Sequence, residues 1–167
     1  MARTRTLALL KPDAVHRGLV GAIISRFEQA GMKILAMKLF ILSEDQLHAL
    51  YPGILSKPFY VQVRNAMLCG PCVAIVLEAN EAIAAVYHLS GTEKNPEQDF
   101  SMSIRKSFAT WTGADVIHRA TNESEAEFQI RLLFSSSEIC NYYKLGEEFS
   151  SAESWQEFGG HWSDRGY

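Results

Sequence analysis

One histidine and two cations carry most of the chemistry open to this sequence. His118 closes a short apolar run, Val116-Ile117, and Arg105 stands thirteen residues before it in the stretch SIRKSFATWTGADVIH. An imidazole, with an ordinary pKa of about 6.5, serves near neutral pH as nucleophile, proton shuttle or metal ligand. A guanidinium offers a fork of donors suited to phosphate, and Lys11, at the end of an apolar run, offers a point charge. Taken singly, each is equally an ordinary surface residue. A second motif, Cys69-Gly70-Pro71-Cys72, has the spacing of a thiol redox pair. That chemistry wants the first thiol at a helix start. Here a helical pattern precedes the motif and an apolar run follows it, so a Gly-Pro turn is the simpler reading. Glycine-rich phosphate loops of the G-x-x-x-x-G-K-[ST] or G-x-G-x-x-G kind are absent.

The surrounding pattern alternates strands with helices. Residues 6–10 form a short apolar run, expected as a buried strand and ended by Lys11-Pro12-Asp13. Val20, Ile23, Ile24 and Phe27 fall at i, i+3, i+4 and i+7, a helical stripe stopped near Gly31. Residues 33–41 alternate, with Leu35, Met37, Leu39 and Ile41 on one side of a strand. Ser43 to Gln46 has the spacing of a capping box, so a short helix follows to about Tyr51. Ser56-Lys57-Pro58 opens another helix, with Phe59, Val63 and Ala66 expected on its inner face. Residues 72–77, CVAIVL, read as a strand, and Asn80 as the cap of a helix through Tyr87. A polar loop over residues 90–101 leads to a short helix at 104–110, a brief strand at 116–117 and a helix over 122–134. Helices set between strands of one sheet predict an α+β, ferredoxin-like sandwich: a four-stranded antiparallel sheet covered by helices.

The chain has 167 residues and a net charge of −3, which gives no sign of nucleic-acid binding by charge. The apolar run near the N-terminus is too short for a signal core or a membrane span, and three cysteines argue against a disulfide framework. The chain is therefore expected in the cytoplasm, away from membranes. Residues 1–135 are expected to form one domain. Residues 136–167, Ser-rich and then aromatic and acidic, are expected to form an extension that packs on that domain or on a neighbouring subunit.

Several motifs, taken in order, resemble the nucleoside diphosphate kinase family over about residues 5 to 135. They are Leu9-Leu10-Lys11-Pro12-Asp13, Arg17-Gly18-Leu19-Val20-Gly21, Tyr51, Lys57-Pro58-Phe59-Tyr60, Gly70-Pro71, Asn95-Pro96, Ser103-Ile104-Arg105 and His118. The resemblance implies ping-pong transfer of a γ-phosphate from a nucleoside triphosphate to a nucleoside diphosphate through phosphorylated His118. It implies that Lys11 and Tyr51 assist the histidine, that Lys11 and Arg105 hold phosphates, and that Phe59 stacks on the base. Mg²⁺ would be carried by the nucleotide phosphates and not by a protein cage, and the assembly would be a homo-oligomer, a hexamer being favoured.

Departures from the family pattern cluster at the same site. Tyr87 stands where a second phosphate-binding arginine is expected. Thr92 is the nearest candidate for a displaced threonine, with Lys94 close by. Asp115 replaces an asparagine, and can still accept from a ribose hydroxyl. Arg119-Ala120-Thr121 follows the histidine in place of Gly-Ser-Asp. Gln129 replaces the glutamate that orients the ring. Two other readings stand beside the kinase: a non-catalytic or weakly active nucleotide-binding module on the same fold, and a CGPC thiol redox protein.

Overall fold

The computed structural model describes residues 3–92, 102–110 and 114–144. In chain order the elements are β1 (Arg3–Leu10), α1 (Pro12–His16), α2 (Val20–Gln29), β2 (Lys33–Ile41), α3 (Glu44–Leu50), α4 (Tyr60–Leu68), β3 (Pro71–Asn80), α5 (Ala82–Ser90), α6 (Ile104–Phe108), β4 (Ile117–Arg119) and α7 (Glu123–Leu133). The strands lie in the order β2-β3-β1-β4, every neighbouring pair antiparallel. This is the expected ferredoxin-like sandwich.

The continuous apolar character of β1 follows from its central place, with helices over both faces of the sheet. Leu7 and Leu9 turn toward one cluster, with Leu47, Leu50, Met67 and Leu133 of α3, α4 and α7. Ala8 and Leu10 turn to the other, with Ile23, Phe27 and Val86 of α2 and α5. His118 pairs with Leu9, and Ala8 pairs with Arg119. Residues opposite each other across a ladder share a face, so His118 looks toward α3 and α7 while Arg119 looks toward α5.

Local signals start the helices largely where the sequence puts them. Ser43 and Gln46 form a reciprocal capping box on α3, and the Asn122 side chain caps α7 by accepting from the Glu125 amide. Three expectations need correction. Asn80 stays in β3. The α5 helix is instead entered through Glu81 at φ +52°, and the Ala82 amide donates to Thr4 Oγ1 of β1 at 2.8 Å. Phe59 does not face inward: it is half exposed at the start of α4. The regular alternation of β2 is broken by a bulge between Ile34 and Ala36, which leaves Leu35 buried and turns Met37, Leu39 and Ile41 outward.

Beyond α7 the chain returns along β2. The Cys140 amide donates to the Leu35 carbonyl at 2.8 Å, and the Tyr142 hydroxyl donates to the Ile34 carbonyl at 2.8 Å. Lys38 pairs with Glu138 at 2.8 Å, and Ile139 packs against the second cluster. Lys94 and the tryptophan-bearing part of the extension lie outside the described residues. Among the described residues no helix is long and apolar enough to cross a membrane.

Candidate functional site

The site is built on a strained turn ahead of β4. Val116 has φ +62°, a left-handed conformation that a β-branched residue adopts only under constraint. The Ile117 amide donates to the Asp115 carbonyl at 2.8 Å, closing a γ-turn over residues 115–117. Strain of this kind costs on the order of 1–3 kcal/mol and persists only where the surroundings enforce it. Three bonds do so here. The Lys11 amide donates to the Val116 carbonyl at 2.9 Å. Arg105 donates from Nη2 to the Ile117 carbonyl at 2.6 Å and from Nε to Asp115 Oδ2 at 3.2 Å.

The same turn ties the two cations together. Lys11, at the end of β1, bonds through Nζ to Asp115 Oδ1. Burial by itself would lower its pKa, but the nearby Tyr51 and Asp115 outweigh burial and hold the ammonium above its ordinary value. Arg105 comes from α6, whose first turn is capped by Ser103. Its guanidinium is completely buried, and Nη1 donates to the Gly91 carbonyl at 2.7 Å. Asp115 is thus a carboxylate shared between Lys11 and Arg105.

His118 sits on the other side of this knot. Its ring meets that of Tyr51, the residue ending α3, edge-on with centroids 4.8 Å apart. Its Nε2 lies 3.2 Å from Gln129 Oε1 on α7. An amide can present either oxygen or nitrogen, and here its orientation is set from behind: Gln129 Nε2 donates to Glu125 Oε1 at 2.8 Å. The amide oxygen must then face the histidine, so Nε2 carries the ring proton and donates it. In the neutral imidazole the lone pair is then on Nδ1. Glu125 is one turn earlier on α7 and is held in place through Oε2, which accepts from the Thr121 amide at 2.9 Å. The sequence reading missed Glu125, although its i, i+4 spacing from Gln129 was visible.

Of the expected residues, Lys11, Tyr51, Arg105, Asp115, His118 and Gln129 come together at the junction of β1, β4, α3, α6 and α7. Phe59 stands apart, at the tip of the α3–α4 hairpin. Glu44 of α3 clasps Arg64 of α4 at 2.6 Å and accepts from the Tyr60 hydroxyl at 3.1 Å, which braces that hairpin. The cysteine motif lacks redox geometry. Cys69 ends α4, while Cys72 lies buried in β3, where burial pushes its thiol up to about 12. A reactive cysteine needs the opposite shift.

Comparison with known proteins agrees with this architecture. The family model described as nucleoside diphosphate kinase matches residues 4–139. The chain belongs to the nucleoside diphosphate kinase family. It is 41% identical to a nucleoside diphosphate kinase of Moorella thermoacetica over 83% of this chain and 99% of that one. Among solved structures, a Halobacterium salinarum nucleoside diphosphate kinase in complex with CDP superposes with a TM-score of 0.84 at 28% identity, covering 90% of this chain and 99% of that one. A Borrelia burgdorferi transition-state mimic with bound vanadate and ADP gives 0.80 at 29% identity, covering 89% and 96%.

Tyr87, where an arginine was expected, has a guanidinium beside it from another element. Tyr87 lies on the exposed side of α5, and the Arg119 guanidinium rests over its ring with Cζ 4.1 Å from the centroid. Arg119 Nε donates to Ser90 Oγ at 2.7 Å, and Ser90 Oγ donates to the Tyr87 carbonyl at 3.1 Å. A nucleoside diphosphate kinase with Arg119 beside its histidine therefore carries a guanidinium on the α5 face, anchored to the turn that leads to Gly91 and Thr92. Thr92 itself is half-buried just beyond that turn.

Proposed function

We propose that the nucleoside diphosphate kinase activity of this chain runs through Nδ1 of His118. The observation that carries the proposal is the Glu125–Gln129–His118 chain, which sets the tautomer that a nucleophilic Nδ1 requires. The Nδ1 lone pair attacks the γ-phosphorus of a nucleoside triphosphate. An N–P bond forms, the bond from phosphorus to the bridging oxygen breaks, and the nucleoside diphosphate leaves with that electron pair. Nε2 keeps its proton and shares the developing imidazolium charge with Gln129. In the second half, a terminal oxygen of the acceptor diphosphate attacks phosphorus and the N–P bond breaks, so no net proton moves.

Phosphoryl transfer depends mainly on positioning and charge neutralisation. Lys11 and Arg105 are assigned to the phosphates, Tyr51 to bracing the imidazole, Phe59 to stacking on the base, and Asp115, Thr92 and Tyr87 to the nucleotide's surroundings. Mg²⁺ is proposed to come with the nucleotide, where it would supply further charge neutralisation to the phosphates beside Lys11 and Arg105. Each charge-assisted contact is worth roughly 1.5–3 kcal/mol.

Incubation with γ-labelled nucleoside triphosphate tests the reading. Acid-labile, alkali-stable label on the wild type, lost in His118→Ala, is the expected result. Absence of label with nucleotide binding intact would replace it with a second reading, binding without transfer, which the capture of both cations by Asp115 favours.

Self-association is proposed for the same chain, a hexamer being the family expectation. Met37, Leu39 and Ile41 form an exposed apolar row on the edge strand β2. Such rows are normally covered by a partner. Residues 1–135 are proposed as the catalytic domain, the remainder as an appendage to it, and the cytoplasm as the site of action.

A further inference from the structure

We infer that Asp115 is an internal anion that holds the phosphate's place between Lys11 and Arg105 and must give way before a nucleotide can bind. The inference rests on the proposed assignment of those two cations to phosphate. Its grounds are geometric. One carboxylate oxygen bonds Lys11 Nζ and the other accepts from Arg105 Nε. Arg105 is entirely buried and Asp115 only 6% exposed, so solvent does little to screen the three charges from one another. Lys11, Arg105 and Asp115 together carry a single net positive charge where a polyphosphate needs neutralising, and the neighbouring Asp13–Arg17 pair adds none. A carboxylate and a phosphate oxygen also make the same demand, since each accepts charge-assisted bonds from ammonium and guanidinium. They compete for one set of donors.

The fold gives Asp115 a way to yield. It is the first residue of the γ-turn whose central Val116 is held left-handed. Its contact to Arg105 is one of the three bonds that keep the turn closed, and its other oxygen is held by Lys11. Phosphate capture of those cations and relaxation of the turn would therefore occur together. Asp115 sets the affinity of the site through charge, independently of the base and sugar.

The test compares wild type with Asp115→Asn and Asp115→Ser, using ADP and inorganic pyrophosphate as probes in titration calorimetry. Both variants are expected to bind each probe at least about tenfold more tightly, which is about 1.4 kcal/mol. Pyrophosphate lacks base and ribose, so a gain seen with ADP alone would assign Asp115 to the sugar and overturn the inference. No gain with either probe would overturn it as well. A measurement on the wild type covers the case in which neither variant folds. The Asp115 side-chain ¹³C carboxyl resonance should shift on saturation with pyrophosphate, and an unmoved resonance would refute displacement. None of these readouts needs catalysis. Tighter pyrophosphate binding without His118 labelling would sink the kinase mechanism and leave the internal anion standing, and the converse result would do the reverse.

Discussion

Replacing Gln129 by glutamate supplies the carboxylate that the resemblance leads one to expect behind the histidine, yet in this chain the single change should fail. The imidazolium forming at His118 would donate to a charged acceptor and no longer to a neutral amide. Hydrogen bonds to charged groups contribute about 1.5–3 kcal/mol against about 0.5–1.5 for neutral ones, so the gain is about 1.4 kcal/mol, roughly tenfold in rate. Glu125 cancels it. Its Oε1 lies 2.8 Å from Gln129 Nε2, and two carboxylates at that separation repel by about 6 kcal/mol at an effective dielectric constant of about 20. Solvent at the half-buried Glu125 reduces this to a few kcal/mol, still more than the gain. Gln129→Glu alone should therefore phosphorylate His118 no faster than wild type, and should melt at a lower temperature. Gln129→Glu combined with Glu125→Gln restores a donor–acceptor pair in the reverse sense and should phosphorylate His118 about tenfold faster than wild type. Single-turnover transfer from labelled nucleoside triphosphate, read alongside thermal melts of wild type, Gln129→Glu, Glu125→Gln and the double variant, gives the comparison. Strictly additive effects, with Gln129→Glu delivering the full gain by itself, would refute the relay from Glu125.

Other perturbations probe the elements that frame the site. Arg64 and then Tyr60 hold the Glu44 carboxyl down to about 2. Because the folded value lies below the unfolded one near 4.5, the bond stabilises the α3–α4 hairpin above pH 4.5 and is lost as pH falls toward 2. NMR titration should find Glu44 near 2 in wild type and clearly higher in Arg64→Ala, though still below 4.5 because Tyr60 goes on donating to it. Gly53, at φ +75° with nothing near a built Cβ, turns the chain toward Phe59. Gly53→Ala should cost about 1 kcal/mol, purely conformational, and lower Tm by about 3 °C in a denaturation scan. Leu39→Asp on the outward row of β2 should shift the particle seen by size-exclusion chromatography with light scattering toward a smaller assembly. An unchanged mass would place the interface elsewhere.

What the sequence determined were features with short-range causes. The apolar run of β1, the 3.6-residue stripe of α2, the capping box at Ser43 and the Asn122 cap each depend on neighbours a few residues away, and each stands where its pattern puts it. The motifs around Lys11, Tyr51, Arg105 and His118 likewise picked out residues that the fold brings close together. Tertiary structure decided the rest. The bulge at Leu35 reverses which side of β2 faces solvent, because one inserted residue shifts a two-residue period. Thr4, seventy-eight residues away in sequence, supplies a cap to α5 that Asn80 was expected to give. Gln129 read alone looked like a weakened orienter, and only the approach of Glu125 shows which way its amide points. Asp115 read alone looked like a ribose contact. Folding places it between Lys11, over a hundred positions earlier, and Arg105 on another helix. Charge pairing between separate elements leaves no local pattern, so the pairing of Lys11, Arg105 and Asp115 could be read only from the folded chain.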